Sequence, residues 1–261
     1  MSGTPTAPAP TGPIWPVRLA THVWHPNGPT GQALLLHGLG SDGTTMWRLA
    51  SHLADRGYLV AAPDLRSHGR SPVASDHRIE ALTEDIAALG SSWDLVVGHS
   101  LGGAVAAHLL TRQDVEVACA LLIDPVLELE PAAREPVRAV QRAEVGRLEA
   151  TAVAAANPRW SPMDVDRKVL AAASCTPDVV DRVIDHNPSW DLADIAAAWR
   201  ARVHLLAADP SLGALLAPDT AARLVDGERI TSTTVAGAGH SVHRDDPASV
   251  LAAIDALLGA T

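Results

Sequence analysis

The chain is 261 residues long, with 47% hydrophobic and 19% charged residues. These are the proportions of an ordinary globular protein, and they exclude a wholly disordered, collagen-like or coiled-coil chain. Thirty acidic residues against 20 basic ones give a formal net charge of −10, which argues against a nucleic acid or an anionic membrane as a partner.

The N-terminal segment and the cysteines bear on the location of the protein. Residues 1–13 are rich in Pro, Ala, Thr and Gly, and such a segment buries little surface, so we expect a flexible tail. It lacks the basic and apolar regions of a signal peptide, and no run approaches the ~20 apolar residues that span a bilayer, so a cytoplasmic location is expected. Cys119 and Cys175 lie far apart without a CxxC pair, which predicts reduced, packed thiols and no thiolate metal site. We expect neither a metal nor a cofactor.

Beyond the tail, short apolar runs alternate with amphipathic stretches. The apolar runs predict strands, and they cover residues 16–24, 32–38, 58–64, 93–100, 117–124, 202–209 and 228–237. Helices are predicted over residues 44–57, 76–90, 101–110, 217–226 and about 247–258. This alternation is typical of the α/β class, a mostly parallel central sheet with helices on both faces.

The alternation is interrupted once, between residues 126 and 200. This segment contains several helical stretches broken by six prolines, and no convincing strand. We therefore predict three parts, which are a flexible tail over residues 1–13, a core formed by residues 14–125 and 201–261, and an inserted helical lid over residues 126–200.

The sequence Gly-His-Ser-Leu-Gly-Gly at residues 98–103 joins an apolar strand to an apolar helix. A strand that turns at once into a helix holds its middle residue in a strained conformation, and flanking glycines let the backbones pass without a Cβ clash. Ser100 would therefore project its hydroxyl outward. The free N–H groups at the start of the helix would lie beside it and suit an oxyanion.

A serine hydroxyl is a poor nucleophile at neutral pH, so Ser100 would need a base and an orienting carboxylate. His240 fits the base, because it lies in a Gly-rich loop after the last strand, at the sheet edge where Ser100 lies. His243 is the lesser candidate. Asp209 and Asp124 both end parallel strands at that edge, where ligands bind in open sheets, so the residues alone leave both open as the acid.

Four motifs in this order make the chain resemble the α/β-hydrolase superfamily over about residues 16–125 and 201–261. The motifs resemble the oxyanion loop, the Asp-x-x-Gly-x-Gly-x-Ser loop, the nucleophile elbow and the catalytic-histidine loop, at residues 34–43, 63–71, 98–103 and 237–247 respectively. In the second motif, Ser67 replaces the first glycine. The resemblance implies an α/β-hydrolase fold with a helical cap.

The resemblance also implies roles for individual residues. Leu39 and Leu101 would supply the backbone N–H groups of the oxyanion hole. Ser100 would be the nucleophile and His240 the base. Most family members take the acid from the strand before the histidine strand, which favours Asp209. Some lactone-cleaving relatives take it from the strand after the nucleophile helix, where Asp124 stands. We therefore expect Asp209 as the acid, with Asp124 as the alternative.

The expected activity is that of a serine hydrolase acting on a carboxylic ester, lactone or thioester of a small to medium organic molecule through an acyl-enzyme. Ser100 excludes the aspartate-nucleophile chemistry of related epoxide hydrolases and dehalogenases. Carbon–carbon bond hydrolases and cofactor-free perhydrolases use the same residue set, and they remain alternatives, as does a weakly catalytic ligand-binding receptor. The candidates to line the substrate pocket are Met46, Trp47, Trp160, Trp190 and Trp199. The sequence does not indicate an oligomeric state.

Overall fold

A seven-stranded sheet runs through the molecule, of which the computed structural model describes residues 9–259. The strands are β1 (Thr21–Trp24), β2 (Gly31–Leu36), β3 (Tyr58–Pro63), β4 (Ser92–His99), β5 (Glu116–Ile123), β6 (Arg202–Ala207) and β7 (Ile230–Thr234). Their spatial order is β1-β3-β2-β4-β5-β6-β7. The edge strand β1 runs antiparallel to β3, and the other neighbours are parallel.

The central strands are buried on both faces. In β2, Ala33 and Leu35 point into one apolar layer, whereas Leu34 and Leu36 point into the other, and all four are fully buried. A parallel strand in this position forms a continuous apolar run in the sequence. This is why the apolar runs located the central strands.

Helices cover both faces of the sheet, as the sequence predicted. They are α1 (Trp47–Asp55), α2 (Ile79–Ala87), α3 (Leu101–Leu109), α4 (Pro131–Ala143), α5 (Ala150–Ala156), α6 (Pro162–Ala173), α7 (Pro177–Asp185), α8 (Pro218–Leu224), α9 (Val242–Asp245) and α10 (Pro247–Gly259). Residues of α2 and α3 belong to one apolar layer, and residues of α1 and α10 belong to the other.

The chain between β5 and β6 holds α4 to α7 and a short 3-10 helix over Asp194–Ala198. Within residues 126–200, all of which are described, the extended structure is limited to an isolated antiparallel bridge between Glu128 and Asp191. Helix α6 begins with a capping box in which the Ser161 and Asp164 side chains bond each other's backbone N–H groups. That this segment acts as a lid stays a prediction.

The first strand is shorter than predicted. Residues 16–20 pair with no strand, and side chains take up the backbone N–H groups of two of them. The Val17 N–H donates to the Asp85 carboxylate at 2.6 Å, and the Ala20 N–H donates to the Ser71 hydroxyl at 2.9 Å.

The remaining sequence expectations have mixed outcomes. Both cysteines are free and buried, as predicted. Most of the predicted tail, residues 1–8, lies outside the described residues. Within residues 9–259, no helix is both long and apolar enough to cross a membrane.

Candidate active site

Ser100 occupies the sharp turn between β4 and α3. Its backbone has φ 55° and ψ −116°, a strained conformation for a residue with a Cβ. A Cβ on Gly98 would overlap the carbonyl oxygen of Gly102, and a Cβ on Gly102 would overlap that of Leu36. The two glycines therefore let the strand, the turn and the helix approach closely enough to form this elbow.

His240 links the Ser100 hydroxyl to a buried carboxylate. Its Nε2 lies 2.9 Å from Ser100 Oγ, and its Nδ1 lies 2.6 Å from Asp124 Oδ2. With the Nδ1 proton donated to the carboxylate, Nε2 is left as the acceptor for the serine hydroxyl. The three side chains come from the end of β4, the end of β5 and the loop after β7, at one edge of the sheet.

Asp124 is completely buried and held from several sides. Besides His240, its carboxylate accepts backbone N–H groups from Leu215 at 2.9 Å, Leu216 at 3.1 Å and Ala208 at 3.3 Å. Its own backbone has φ 38°, in the left-handed region. These donors fix the orientation of the carboxylate that faces the imidazole.

The structure corrects the preference for Asp209 as the acid. The Asp209 carboxylate accepts the N–H of Ser211 at 2.9 Å, the hydroxyl of Ser211 at 2.7 Å and the N–H of Gly237 at 2.7 Å. The Gly237 N–H is the main cause of a lowered pKa for Asp209. Asp209 caps the 3-10 helix at Pro210–Leu212, so local partners hold its carboxylate and His240 is bonded to Asp124 instead.

Leu39 and Leu101 both lie next to this serine. Both residues line a small cavity with Ser100, and neither backbone N–H donates to a backbone carbonyl in the turns and loops of residues 9–259. Leu101 is the first residue of α3, where backbone N–H groups are free and the helix dipole is positive. The pair has the chemistry of an oxyanion hole.

Two buried side chains hold the loop that carries Leu39. The Nδ1 of His37 donates to the carbonyl of Gly38 at 2.8 Å, and its Nε2 accepts the N–H of Leu65 at 2.9 Å. Asp64 accepts the N–H groups of Gly43 and Arg70, each at 2.8 Å, as well as His22 Nε2 at 3.1 Å. Burial alone would raise the pKa of Asp64, but these bonds outweigh it and lower the pKa to about 2. Asp64 is thus a loop anchor without contact to Ser100.

Two further histidines pack beside His240. The Nε2 of His99 donates to the carbonyl of His240 at 3.0 Å, and the ring of His243 lies 4.5 Å from that of His99. Burial, reinforced by neighbouring positive charge, lowers the pKa of both His99 and His243 well below the usual value. Both rings are therefore neutral near pH 7. His243 makes no bond to Ser100, which leaves His240 as the base candidate.

Two small cavities meet at Ser100. One, of about 30 Å³, is polar and is lined by Gln141, Glu144, Lys168 and Arg244 together with His240. The other, of about 20 Å³, is apolar and is lined by Leu39, Leu101, Val126, Leu129, Val137, Val183, Ile184, Trp190 and Leu215. A groove of about 450 Å³ on the α4 side also reaches His240.

A larger hollow of about 800 Å³ lies along β6, β7 and α10, and its lining residues include none of Ser100, Asp124 and His240. This hollow is therefore not the candidate active site, although it is larger than the cavities at Ser100. Within residues 9–259, no group of three or more His, Cys, Asp or Glu side chains is arranged to hold a metal ion.

Two of the five predicted pocket residues lie at the site. Trp190 lines the apolar cavity and donates its indole N–H to the Val126 carbonyl at 2.8 Å. Trp160 lines the groove beside His240 and donates to Asp245 at 2.8 Å.

The other three pocket predictions are corrected by the structure. Met46 is buried in the apolar layer beneath α1, and Trp47 donates to Asp164 of α6 at 3.0 Å. Trp199 is 1% exposed and donates to the Ala107 carbonyl of α3 at 2.8 Å. Each ring or thioether thus packs elements together, and none lines the cavities at Ser100.

The polar lining of the site, above all Lys168 and Arg244, was not predicted from the sequence. Each of these two residues has one notable feature in the sequence, but neither feature indicates burial. Lys168 is the single lysine of the chain, yet it is buried, and lysine is almost never buried unless paired. Arg244 follows the candidate base by four residues in the same loop and short helix.

Comparison with protein families identifies the family of this chain. The model of the alpha/beta hydrolase family matches residues 33–254. The chain belongs to this family. The predicted family and fold class are thereby confirmed.

Individual relatives agree with this assignment. Lipase LipV of Mycobacterium tuberculosis is 38% identical over 151 residues, which are 56% of this chain and 57% of LipV. The chain thus spans less than two thirds of that relative. Among solved structures, an E-2-(acetamidomethylene)succinate hydrolase has a TM-score of 0.78 at 20% identity, over 92% of this chain and 95% of that one. The enol-lactonase of Burkholderia xenovorans LB400 has a TM-score of 0.71 at 18% identity, over 92% of this chain and 96% of the enol-lactonase. At these identities the structures show the shared fold.

Proposed function

We propose that this alpha/beta hydrolase is a serine hydrolase that cleaves a carboxylic ester, lactone or thioester of a small to medium organic molecule through an acyl-enzyme. The observation that carries the proposal is the chain of hydrogen bonds from Ser100 through His240 to Asp124. The similarity to a lipase at 38% identity supports ester chemistry in particular.

In the first half of the proposed reaction, Ser100 Oγ attacks the substrate carbonyl carbon and His240 Nε2 takes the hydroxyl proton. The carbonyl oxygen becomes an oxyanion that accepts the N–H groups of Leu39 and Leu101. When this intermediate collapses, the bond to the leaving alcohol or thiol breaks. The leaving group receives the proton from His240, and the acyl group stays on Ser100 as an ester.

In the second half, water replaces the leaving group. His240 takes a proton from the water as its oxygen attacks the acyl carbon, and collapse returns the proton to Ser100 and releases the acid. Asp124 keeps the imidazole in the required tautomer and stabilises its positive charge. Each oxyanion donor contributes about 3 kcal/mol to transition-state stabilisation in comparable hydrolases.

The proposal is tested with p-nitrophenyl esters of increasing acyl length and with aryl lactones. Ser100→Ala is expected to lower kcat by at least about 10³-fold, because no other hydroxyl within residues 9–259 is bonded to His240. Its circular dichroism should stay that of the wild type. A fluorophosphonate should add once to the wild type, at Ser100, as measured by mass spectrometry of the intact and digested protein.

Retained turnover by pure Ser100→Ala protein would refute the nucleophile assignment. Labelling of Ser100 without turnover of any ester or lactone would favour the ligand-binding receptor instead.

A further inference from the structure

Arg244 is a buried cation that faces the reaction site. Its side chain lines the polar cavity with Ser100 and His240, and the residue is only 5% exposed. The guanidinium lies 4.7 Å from the centre of the Trp160 ring, a stacked position that fixes its plane.

The guanidinium has almost no hydrogen-bond partner in the part of the chain that the structure describes. The one bond that it makes within residues 9–259 is a long one, from Nη2 to Ser41 Oγ at 3.5 Å. An arginine has five N–H donors and stays charged in proteins. No carboxylate within residues 9–259 lies within 4.0 Å of it.

The nearby carboxylates are engaged elsewhere. Four of them act on Arg244 from a distance. Each has a closer partner, as follows: Asp164 bonds Arg48 at 2.6 Å, Glu144 bonds Lys168 at 2.9 Å, Asp42 accepts the Thr44 N–H at 2.9 Å, and Asp245 accepts the Gly239 N–H at 2.7 Å.

The charges that line the polar cavity therefore do not cancel. Two cations, Lys168 and Arg244, and one carboxylate, Glu144, line it. Lys168 Nζ lies 2.9 Å from Glu144 Oε2 and 3.0 Å from the Glu144 carbonyl, so this pair is neutralised. The positive charge of Arg244 is left over. A buried charge without a partner is costly, and a guanidinium matches a carboxylate in a bidentate geometry.

We propose that Arg244 binds a carboxylate of the substrate, so that the substrates are esters or lactones in which one arm is apolar and another carries a carboxylate. The second cavity adjoins Ser100 and has an apolar lining that includes Val126, Leu129 and Trp190, so its chemistry matches the apolar arm. This substrate class rests on the proposed function, because it assumes that the bond cleaved is the one next to Ser100.

The first experiment measures binding without turnover. Ser100→Ala protein is titrated by calorimetry with the monomethyl esters of succinate, glutarate, adipate and suberate, and with the matching dimethyl esters, which carry no charge. For the chain length that binds best, the monoester should bind about tenfold tighter or more, as expected for a charged group paired inside a cavity. This preference should disappear in Ser100→Ala/Arg244→Gln.

The second experiment measures hydrolysis of the same esters by the wild type. The ratio of kcat/KM for the monoester to that for the diester should fall about tenfold or more in Arg244→Gln. Arg56→Gln serves as the matched control, because it makes the same change of charge at an exposed side chain paired with Asp255. It should keep the ratio of the wild type.

Equal or weaker binding of the monoesters by Ser100→Ala protein would overturn the proposal, and that comparison needs no change at Arg244. A ratio unchanged by Arg244→Gln would overturn it as well. Failure of the proposed function is a separate result, in which the wild type hydrolyses neither ester whereas Ser100→Ala protein still binds the monoester more tightly than the diester.

Discussion

At the scale of single residues, two aspartates that look equivalent in the sequence have different surroundings. Both Asp124 and Asp209 follow buried parallel strands at the same edge of the sheet. Besides His240, the Asp124 carboxylate accepts the backbone N–H groups of residues 208, 215 and 216, which lie far from it in the sequence. The donors of Asp209 are Ser211 and Gly237.

The partners of Asp124 could not be predicted from the sequence, because they depend on how the loop after β6 folds back over β5. The partners of Asp209 could be predicted in part. An aspartate followed by Pro-Ser is a frequent start of a helical turn, in which its side chain accepts a nearby N–H. The residues at 209–211 therefore favour a cap at Asp209.

Ser100 and His240 were found from the sequence because each lies in a motif whose backbone context is local. The glycines around the elbow and the Gly-rich loop before His240 can be read without knowing the fold. Arg244 and Lys168 were missed, because a buried cation has no local signature. The same reason explains the error at Met46, Trp47 and Trp199, whose packing partners come from distant elements.

At the scale of elements, the period of apolar residues predicted the strands and helices well and their ends less well. The helix expected over 44–57 begins as a 3-10 turn at Gly43–Met46 and continues as α1. The strand expected over 228–237 is limited to Ile230–Thr234. Ends depend on capping and on side-chain acceptors, such as Asp226, whose carboxylate accepts the N–H groups of the two residues before β7 and of its first residue.

The elbow between β4 and α3 yields a prediction about stability. In Gly102→Ala, the new Cβ would overlap the backbone of Leu36 and His37 in β2 and the loop after it. Backbone cannot move aside cheaply, so we expect the free energy of unfolding to fall by about 3 kcal/mol or more. Urea denaturation followed by circular dichroism measures it.

Gly259→Ala is the control for this substitution, because a Cβ at the end of α10 meets nothing within 4 Å. It should change the free energy of unfolding by no more than about 0.5 kcal/mol. If Gly102→Ala were as stable as this control, the elbow would not need the close approach that the structure shows.

At the scale of the whole molecule, the fold buries several histidines in neutral form. Burial, together with neighbouring histidines, lowers the pKa of His68 to about 3 and that of His77 to about 4. His37, His99 and His243 have lowered pKa values for the same main reason. In the unfolded chain, a histidine has a pKa of about 6.5.

These shifts predict that the protein is labile in mild acid. Below pH 6.5 the unfolded state binds protons that the folded state does not, so stability falls as the pH falls. For His68 and His77 the loss continues to about pH 3 and pH 4. At pH 5, each of these two histidines lowers the free energy of unfolding by about 2 kcal/mol relative to neutral pH.

Urea denaturation at intervals from pH 7.5 to pH 4.5 measures this dependence. His68→Asn removes one such group. The slope of its free energy of unfolding against pH should therefore be smaller than that of the wild type, by the equivalent of about one bound proton. A free energy of unfolding that stays constant between pH 7 and pH 5 would contradict the assignment of neutral buried histidines.

The proposed function requires Ser100, His240 and Asp124 to act together, and kcat for a p-nitrophenyl ester in Asp124→Asn and Asp209→Asn tests this directly. An asparagine at residue 124 favours the wrong imidazole tautomer and leaves the imidazolium without its carboxylate. We therefore predict that kcat falls by about 10³- to 10⁴-fold. Asp209→Asn, which alters a capping carboxylate, should stay within a few-fold of the wild type, with both variants folded by circular dichroism. Collapse of kcat in Asp209→Asn while Asp124→Asn keeps wild-type activity would contradict the account.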